Sequence, residues 1–141
     1  MTVHESTDRR GMRVLTLDEC VPLLRHVLIG RIGFLHHGEP EVLPVTFGMD
    51  GACPVFRTTW GSKLDVASGG GLVALEADEV DAARGRAWSV VVKGTALVDY
   101  DDKAIHRYEA LDIPSWLRDG SETFWVRITP ESVSGRELSL P

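Results

Sequence analysis

The chain has 141 residues, of which 43% are hydrophobic and 26% are charged, and its formal net charge is -6. This length predicts one domain with its own core, and the acidic balance argues against nonspecific binding to nucleic acid or anionic membranes, which needs clustered positive charge. No apolar run approaches the roughly 20 residues of a membrane span, and the first segment lacks the apolar core of a secretory signal, so we expect a cytoplasmic protein.

The first two segments that the sequence predicts are a tail and a helix. We expect residues 1–12 to be disordered and residues 13–141 to form a single domain. Thr16 and Glu19 have the spacing of a capping box, which predicts a helix start. The apolar face of this helix would hold Leu17, Val21, Leu24 and Leu28. Pro22 would delay the helix start or bend the helix, because proline removes a backbone hydrogen bond.

Three short runs rich in β-branched and aromatic residues follow the helix. They span residues 31–37, 41–47 and 53–58. Residues that favour turns lie between the runs, with Gly38 and Pro40 in the first gap and Asp50 and Gly51 in the second. The pattern therefore predicts an antiparallel meander of three strands.

The second half of the chain predicts two more helices and three more strands. The helices span 62–68 and 101–111, and the strands span 72–78, 87–100 and 123–138. In the longest strand, one face carries Trp88, Val90 and Val92. Gly94 predicts a bend or bulge in that strand, and Pro130 predicts a break in the last one. Six antiparallel strands with a few short helices indicate a mainly β chain that forms a closed or partly closed barrel.

One stretch, VFRTTWGSKLD, joins a strand end to a helix start and gathers groups that bind anions. Side chains alternate along a strand, so Phe56 can fill the core while Arg57 faces a cleft. Ser62 is predicted as the N-cap of the helix, whose free N–H groups would form an anion site with Lys63 and the Thr58 hydroxyl. Arg and Lys bind phosphate oxygens through charge-assisted hydrogen bonds, so a phosphate monoester fits the site. The alternative is an ordinary helix cap beside two solvated basic residues.

Pro44 lies inside a predicted strand, where it has no N–H to donate to a neighbouring strand. The backbone here is therefore expected at a sheet edge, at a bulge, or against something other than a strand. A planar ligand is one such partner, and backbone groups of Val45 and Thr46 would then hydrogen-bond its edge. The simpler interpretation is the edge strand of a small barrel.

Two strands carry a tryptophan beside a polar residue, namely Trp88 with Ser89 and Trp125 near Arg127. An aromatic side chain beside a polar group can stack on a ring system or clasp it. A strand tryptophan nevertheless belongs more often to a core or a subunit interface.

The other polar residues predict no metal site and no catalytic residue. His36 and His37 are adjacent and would point to opposite faces of a strand, so they could not hold one metal ion together. Glu76 and Asp78 share a strand face without a nucleophile motif, and we interpret them as solvated charges on the barrel exterior. The sequence also contains no nucleophile elbow, no P-loop and no dinucleotide fingerprint after a strand.

Six motifs follow one another between about Leu15 and Leu138: GRIGF, PEVLPVTFGMDG, VFRTTWGSKLD, VALEAD, WSVVVKGTALV and VRITPESVSGREL. In this order they resemble the pyridoxamine 5'-phosphate oxidase-like superfamily of FMN-binding split barrels, and most of all its short actinobacterial-type members. The resemblance implies a six-stranded split barrel that forms a homodimer, with FMN in clefts between the subunits.

The resemblance also implies roles for individual residues. The FMN phosphate would be held by Arg57, Thr58, Ser62 and Lys63. The edge of the isoalloxazine ring would be lined by Pro44, Val45 and Thr46. Trp88 and Ser89 would lie near the cofactor, either in the same subunit or across the dimer.

Within this family we expect an FMN-dependent oxidoreductase with a small-molecule redox substrate. The flavin carries hydride or electrons, and the protein supplies binding, orientation and electrostatics. Related short members are similar in fold but bind the deazaflavin coenzyme, haem or biliverdin. The alternatives are therefore a deazaflavin-dependent reductase and a non-catalytic protein that binds or senses flavin or haem.

Overall fold

A computed structural model describes residues 7–139. Within these residues the helices are α1 (Leu17–His26), α2 (Ser62–Ser68) and α3 (Asp102–Glu109). The strands are β1 (Arg13–Leu15), β2 (Ile29–His36), β3 (Glu39–Thr46), β4 (Gly48–Asp50), β5 (Cys53–Thr58), β6 (Leu72–Asp81), β7 (Arg86–Asp99) and β8 (Phe124–Ser139). None of the described helices has the length and hydropathy needed to cross a membrane.

The described strands form one curled antiparallel sheet in the order β3-β2-β6-β7-β8-β5-β4, with β1 paired to β8. Its inner face buries apolar side chains, including Ile32, Leu75, Val90, Val92, Val126 and Ile128. The prediction of a mainly β, antiparallel split barrel with a few short helices is confirmed. The strand count exceeds six because β1 and β4 have three residues each, too few to show an alternating pattern.

The predicted meander of β2, β3 and β5 is wrong. β2 pairs with β3, but β5 pairs with β4 and β8, so β3 and β5 lie towards opposite ends of the strand order. β3 carries Pro40 and Pro44, which have no N–H to donate, and it lies at the edge of the sheet. Pro44 faces Arg31 of β2 in the register, and the simpler interpretation of this proline as an edge-strand residue is confirmed.

Helix α1 begins at the predicted capping box and buries only part of the predicted face. The capping box between Thr16 and Glu19 is present, and the helix continues through Pro22, so this proline does not delay the helix start. Its buried residues are Cys20 and Leu24. The predicted face is wrong at its two ends, because Leu17 is 53% exposed and Leu28 lies beyond the helix end and is 58% exposed.

The pair formed by β7 and β8 confirms the irregularity predicted at Gly94. The inward face of β7 holds Trp88, Val90 and Val92, as predicted. The register shifts between Lys93, which faces Ser132, and Gly94, which faces Pro130. The predicted break at Pro130 is wrong, because β8 continues through this residue and accommodates it at the bulge.

Two hydrophobic clusters lie on opposite sides of β5. Phe56 is fully buried in the main core, whereas Val55 packs in a second cluster with Tyr108 of α3 and Trp125 of β8. Arg57 is exposed, and it shares the side of Val55 because side chains alternate along a strand. The predicted division between Phe56 and Arg57 is confirmed, and Arg57 projects on the α3 side of the sheet.

The first described residues lie against β1 and β8. Thr7 forms an isolated bridge with Arg13, and the Asp8 carboxylate accepts a hydrogen bond of 3.1 Å from Arg136. Residues 1–6 of the predicted disordered tail lie outside the described residues.

Candidate functional site

A pocket beside the end of β5 gathers four of the predicted site residues. β3 contributes Val45 and Thr46, β5 contributes Arg57, and α2 contributes Lys63. The other lining residues are Trp125 of β8 and the loop residues 113–117, which follow α3. We call this cavity the Arg57–Lys63 pocket.

Short connections in the chain bring these residues together. β5 ends at Thr58 and α2 begins at Ser62, so a short turn joins the strand of Arg57 to the helix of Lys63. Val45 belongs to the main core and is 3% exposed, which anchors the end of β3. Arg57 therefore projects from a strand and Lys63 from a helix, so regular secondary structure positions both cations.

Arg57 and Lys63 enter the pocket without a carboxylate partner. Within residues 7–139, neither residue forms a salt bridge. Arg57 instead lies over the indole of Trp125, with its Cζ atom 5.4 Å from the ring centroid. Partial burial lowers the pKa of the Lys63 ammonium. Two cations without an ion-pair partner in residues 7–139, in a pocket that Thr46 also lines, suit a phosphate group.

The start of α2 differs from the prediction. Its N-cap is Gly61, which has no side chain that could accept a hydrogen bond from the first helical turn. Gly61 has φ 151°, a backbone conformation that favours glycine. The prediction of Ser62 as the N-cap is therefore wrong, since this serine is the first residue inside the helix.

Three predicted phosphate or ring contacts lie outside the lining of the pocket. Thr58 is 2% exposed, and its hydroxyl donates a hydrogen bond of 3.2 Å to the Thr59 carbonyl. Alternation places it on the Phe56 side of β5, away from Arg57. Ser62 is half-buried, and Pro44 is exposed on β3.

Trp88 and Ser89 lie in another part of the molecule. Trp88 is 9% exposed and lines a separate cleft together with Leu15 and Arg86. Ser89 is half-buried, and alternation along β7 places it on the opposite face. Within one chain, Trp88 and Ser89 therefore lie away from the Arg57–Lys63 pocket. Their role near a cofactor stays a prediction.

The loop of residues 113–117, which lines the pocket, contributes none of the site residues that the sequence predicts. Its packing depends on Gly48 of β4, where an added Cβ would lie 2.9 Å from Ile113 Cδ1. Trp116 of the same loop lines the pocket and is 58% exposed. A tryptophan in a connecting segment was the available signal, because aromatic residues in loops often serve binding.

The geometry assumed for the two adjacent histidines is wrong. His37 lies in the turn after β2 with φ 53°, so it does not alternate with His36 as in a strand. The centroids of the two imidazole rings are 4.1 Å apart. His36 Nε2 lies 3.0 Å from Asp65 Oδ2 of α2. Within residues 7–139, no group of three potential ligands forms a metal site.

Glu76 and Asp78 lie on the outer face of β6, close to Arg31 of β2. Arg31 Nη1 is 3.6 Å from Glu76 Oε2 and 3.5 Å from Asp78 Oδ2. Partial burial and the neighbouring Asp78 carboxylate raise the pKa of Glu76 to about 7, although Arg31 opposes this shift. The Glu76 carboxyl is therefore partly protonated near neutral pH.

We expect the raised pKa of Glu76 to make stability fall between about pH 4.5 and 7. The ordinary pKa of this carboxyl is 4.5, so across that range the folded state binds more protons than the unfolded state, and stability is lost as pH rises. Glu76→Gln should raise the free energy of unfolding at pH 8 by roughly 1–2 kcal/mol, after allowance for solvent screening, and change it little at pH 4.5. Urea denaturation at both pH values measures this, with Glu39→Gln as the exposed control. An equal gain at the two pH values would contradict the expected titration.

This chain is similar to other proteins in sequence and in structure. The uncharacterised protein Rv0080 of Mycobacterium tuberculosis is 36% identical over 126 residues, which cover 86% of this chain and 82% of that protein. The solved structure of the FAD binding protein from Mycobacterium smegmatis has a TM-score of 0.76 at 30% identity and covers 89% of this chain and 98% of that one. The structure of an FAD-binding protein from Mesorhizobium loti has a TM-score of 0.77 at 25% identity and covers 89% and 96%.

The model of one protein family spans most of the chain. The family is described as pyridoxamine 5'-phosphate oxidase, and its model matches residues 16–137. This agrees with the resemblance found in the sequence motifs and with the split-barrel fold. The chain belongs to the pyridoxamine 5'-phosphate oxidase family.

Proposed function

We propose that this chain binds FMN in the Arg57–Lys63 pocket and works as a flavin-dependent oxidoreductase. One observation carries the proposal: the pocket places two cations without a carboxylate partner in residues 7–139 beside the end of β3. A terminal phosphate is the part of FMN that such cations bind. The structural neighbours from M. smegmatis and M. loti are FAD-binding proteins, which supports a flavin as the ligand class.

Each pocket residue has a defined task in this proposal. Arg57 would donate two N–H bonds to phosphate oxygens, and Lys63 would add a point charge. The backbone groups and the hydroxyl of Thr46 would orient the polar edge of the ring, because the backbone of Val45 already pairs with β2. The indole of Trp125 would support the Arg57 guanidinium. The bound flavin would supply hydride or electron transfer to a small-molecule substrate, so we assign no side chain as acid or base.

A homodimer is the second part of the proposal. Because Trp88 and Ser89 lie outside the pocket of their own chain, a role beside the cofactor requires them to come from the partner subunit. The outer face of the sheet supports such an assembly, since Leu35, Val42 and Leu72 line one cleft and are each about two-thirds exposed. A cytoplasmic location also stays a prediction.

The absorption spectrum of the purified protein tests the cofactor. We expect the bands of an oxidised flavin, release of FMN on denaturation, and uptake of added FMN by the stripped protein with a change in flavin fluorescence. A nicotinamide donor should then reduce the bound flavin under anaerobic conditions. A protein that carries a deazaflavin or haem and takes up no FMN would contradict the cofactor assignment. A bound flavin that no donor reduces would contradict the assignment as an oxidoreductase.

A further inference from the structure

A charged network lies beside the Arg57–Lys63 pocket and joins β4, α3 and β8. Asp50 of β4 accepts hydrogen bonds from Arg107 of α3, with distances of 3.2 Å from Nε to Oδ1 and 3.1 Å from Nη2 to Oδ2. The same carboxylate accepts a hydrogen bond from Arg127 of β8. Hydrogen bonds from Arg107 and Arg127 hold the pKa of Asp50 below its ordinary value, although partial burial opposes this shift. One carboxylate therefore ties three elements together.

Tyr108 continues this network towards the pocket. Its ring is fully buried, and its hydroxyl donates a hydrogen bond of 2.6 Å to Asp99 and accepts one of 2.9 Å from Arg127. The ring centroid lies 5.3 Å from that of Trp125, and the guanidinium of Arg57 lies over the same indole. These contacts form a continuous path from the β4 carboxylate to the pocket guanidinium.

The network also holds the loop that lines the pocket. Ile113 packs against the cluster that contains Tyr108 and Trp125, and it rests on Gly48, two residues before Asp50 on β4. The hydrogen bonds between Asp50 and α3 therefore fix the base from which the loop enters the pocket.

We propose that Asp50 is a positioning residue for Arg57. Within residues 7–139, Arg57 has no salt bridge of its own, so its direction depends on the indole over which it lies. Asp50 holds that indole through Arg127 and Tyr108, and it holds the loop through Arg107. This inference rests on the proposed function, because it concerns the guanidinium that would bind the phosphate.

Asp50→Asn tests the inference, since it keeps the side-chain size and removes the charge. We expect the Kd for FMN to rise about fivefold, and the Kd for riboflavin, which has no phosphate, to change by less than about twofold. Asp102→Asn is the matched control, because it also removes one negative charge, at an exposed position in the first turn of α3. Asp102 forms no ion pair within residues 7–139 and lies outside the pocket lining, so this variant should bind both ligands like the wild type.

A double-mutant cycle shows whether Asp50 acts through Arg57. If it does, adding Asp50→Asn to Arg57→Ala causes no further loss of FMN affinity. A fivefold loss in both backgrounds, or an equal loss for riboflavin, would overturn the inference. An unchanged FMN affinity in Asp50→Asn, with a clear loss in Arg57→Ala, would overturn the inference alone. If Arg57→Ala itself binds FMN normally, the proposed function fails and the inference fails with it.

A second variant covers the case in which Asp50→Asn does not fold. Arg107 is 55% exposed, and Arg107→Gln removes only the α3 side of the network. We expect about a twofold rise in the Kd for FMN, which is absent in the Arg57→Ala background, with circular dichroism confirming the fold. A twofold rise in the Kd for FMN that also occurs in the Arg57→Ala background would contradict the proposed path from Asp50 to Arg57.

Discussion

Replacing Arg57 and Lys63 together with alanine is expected to weaken FMN binding by roughly 100-fold or more and to leave riboflavin binding within about threefold of the wild type. Hydrogen bonds to charged groups contribute about 1.5–3 kcal/mol each, and every 1.4 kcal/mol is about tenfold in Kd. Riboflavin has the same ring as FMN but no phosphate, so it should not depend on these cations. The loss should be large because neither cation has a carboxylate partner in residues 7–139 that already occupies it.

Titration of the stripped protein with each ligand, followed by flavin fluorescence, measures this difference. Arg25→Ala with Lys103→Ala is the matched control, because it removes two positive charges from α1 and α3, outside the pocket lining. The control variant should bind both ligands as the wild type does. A loss of equal size for FMN and riboflavin would show that the two pocket cations do not recognise the phosphate.

Gly94→Ala is expected to lower the free energy of unfolding by roughly 3 kcal/mol or more, the upper range for overpacking. An added Cβ would collide with the Thr129 carbonyl oxygen, and it would lie 2.8 Å from the Thr129 carbonyl carbon and 3.0 Å from Pro130 Cα. These are backbone atoms of β8 at the bulge, so no side chain can rotate to relieve the contact. The two longest strands would have to separate locally.

Gly33→Ala on β2 is the matched control for this change. Its added Cβ would have ordinary contacts of 3.8 and 3.9 Å with the backbone oxygens of Glu41 and Ala74. We expect its free energy of unfolding to stay within about 0.5 kcal/mol of the wild type in urea denaturation. If both variants lost the same stability, the close approach at the bulge would not be the cause.

Local patterns predicted the parts of the site that depend on neighbours in the chain. Alternation along β5 placed Phe56 in the core and Arg57 on the other side, because a strand repeats every two residues. The helix at 62–68 and the bulge at Gly94 also follow from short-range preferences. These preferences act within a few residues and are visible in a single sequence.

Contacts between distant parts of the chain could not be predicted in this way. β5 pairs with β8 rather than with β3, and this pairing brings Trp125 beside Arg57. Strand order depends on the burial of whole faces, and the alternating pattern of one strand does not name its partner. The pocket loop and the Asp50 network could not be predicted for the same reason, because their contacts join β4, α3 and β8, which are distant in the sequence.

Ser62 shows a local limit of sequence reasoning. Serine is a common N-cap, but the preceding Gly61 adopts a conformation that few other residues can take, and it fills the cap position instead. Where a glycine precedes a serine, either residue can be the N-cap, so the sequence alone does not decide between two start positions of the helix.

A structure of the protein crystallised together with FMN tests the central claim most directly. We predict that the FMN phosphate lies within about 3 Å of the Arg57 guanidinium and of Lys63 Nζ, with the ring beside Val45 and Thr46. Density for the phosphate at another site, with Arg57 and Lys63 free of the ligand, would contradict the claim.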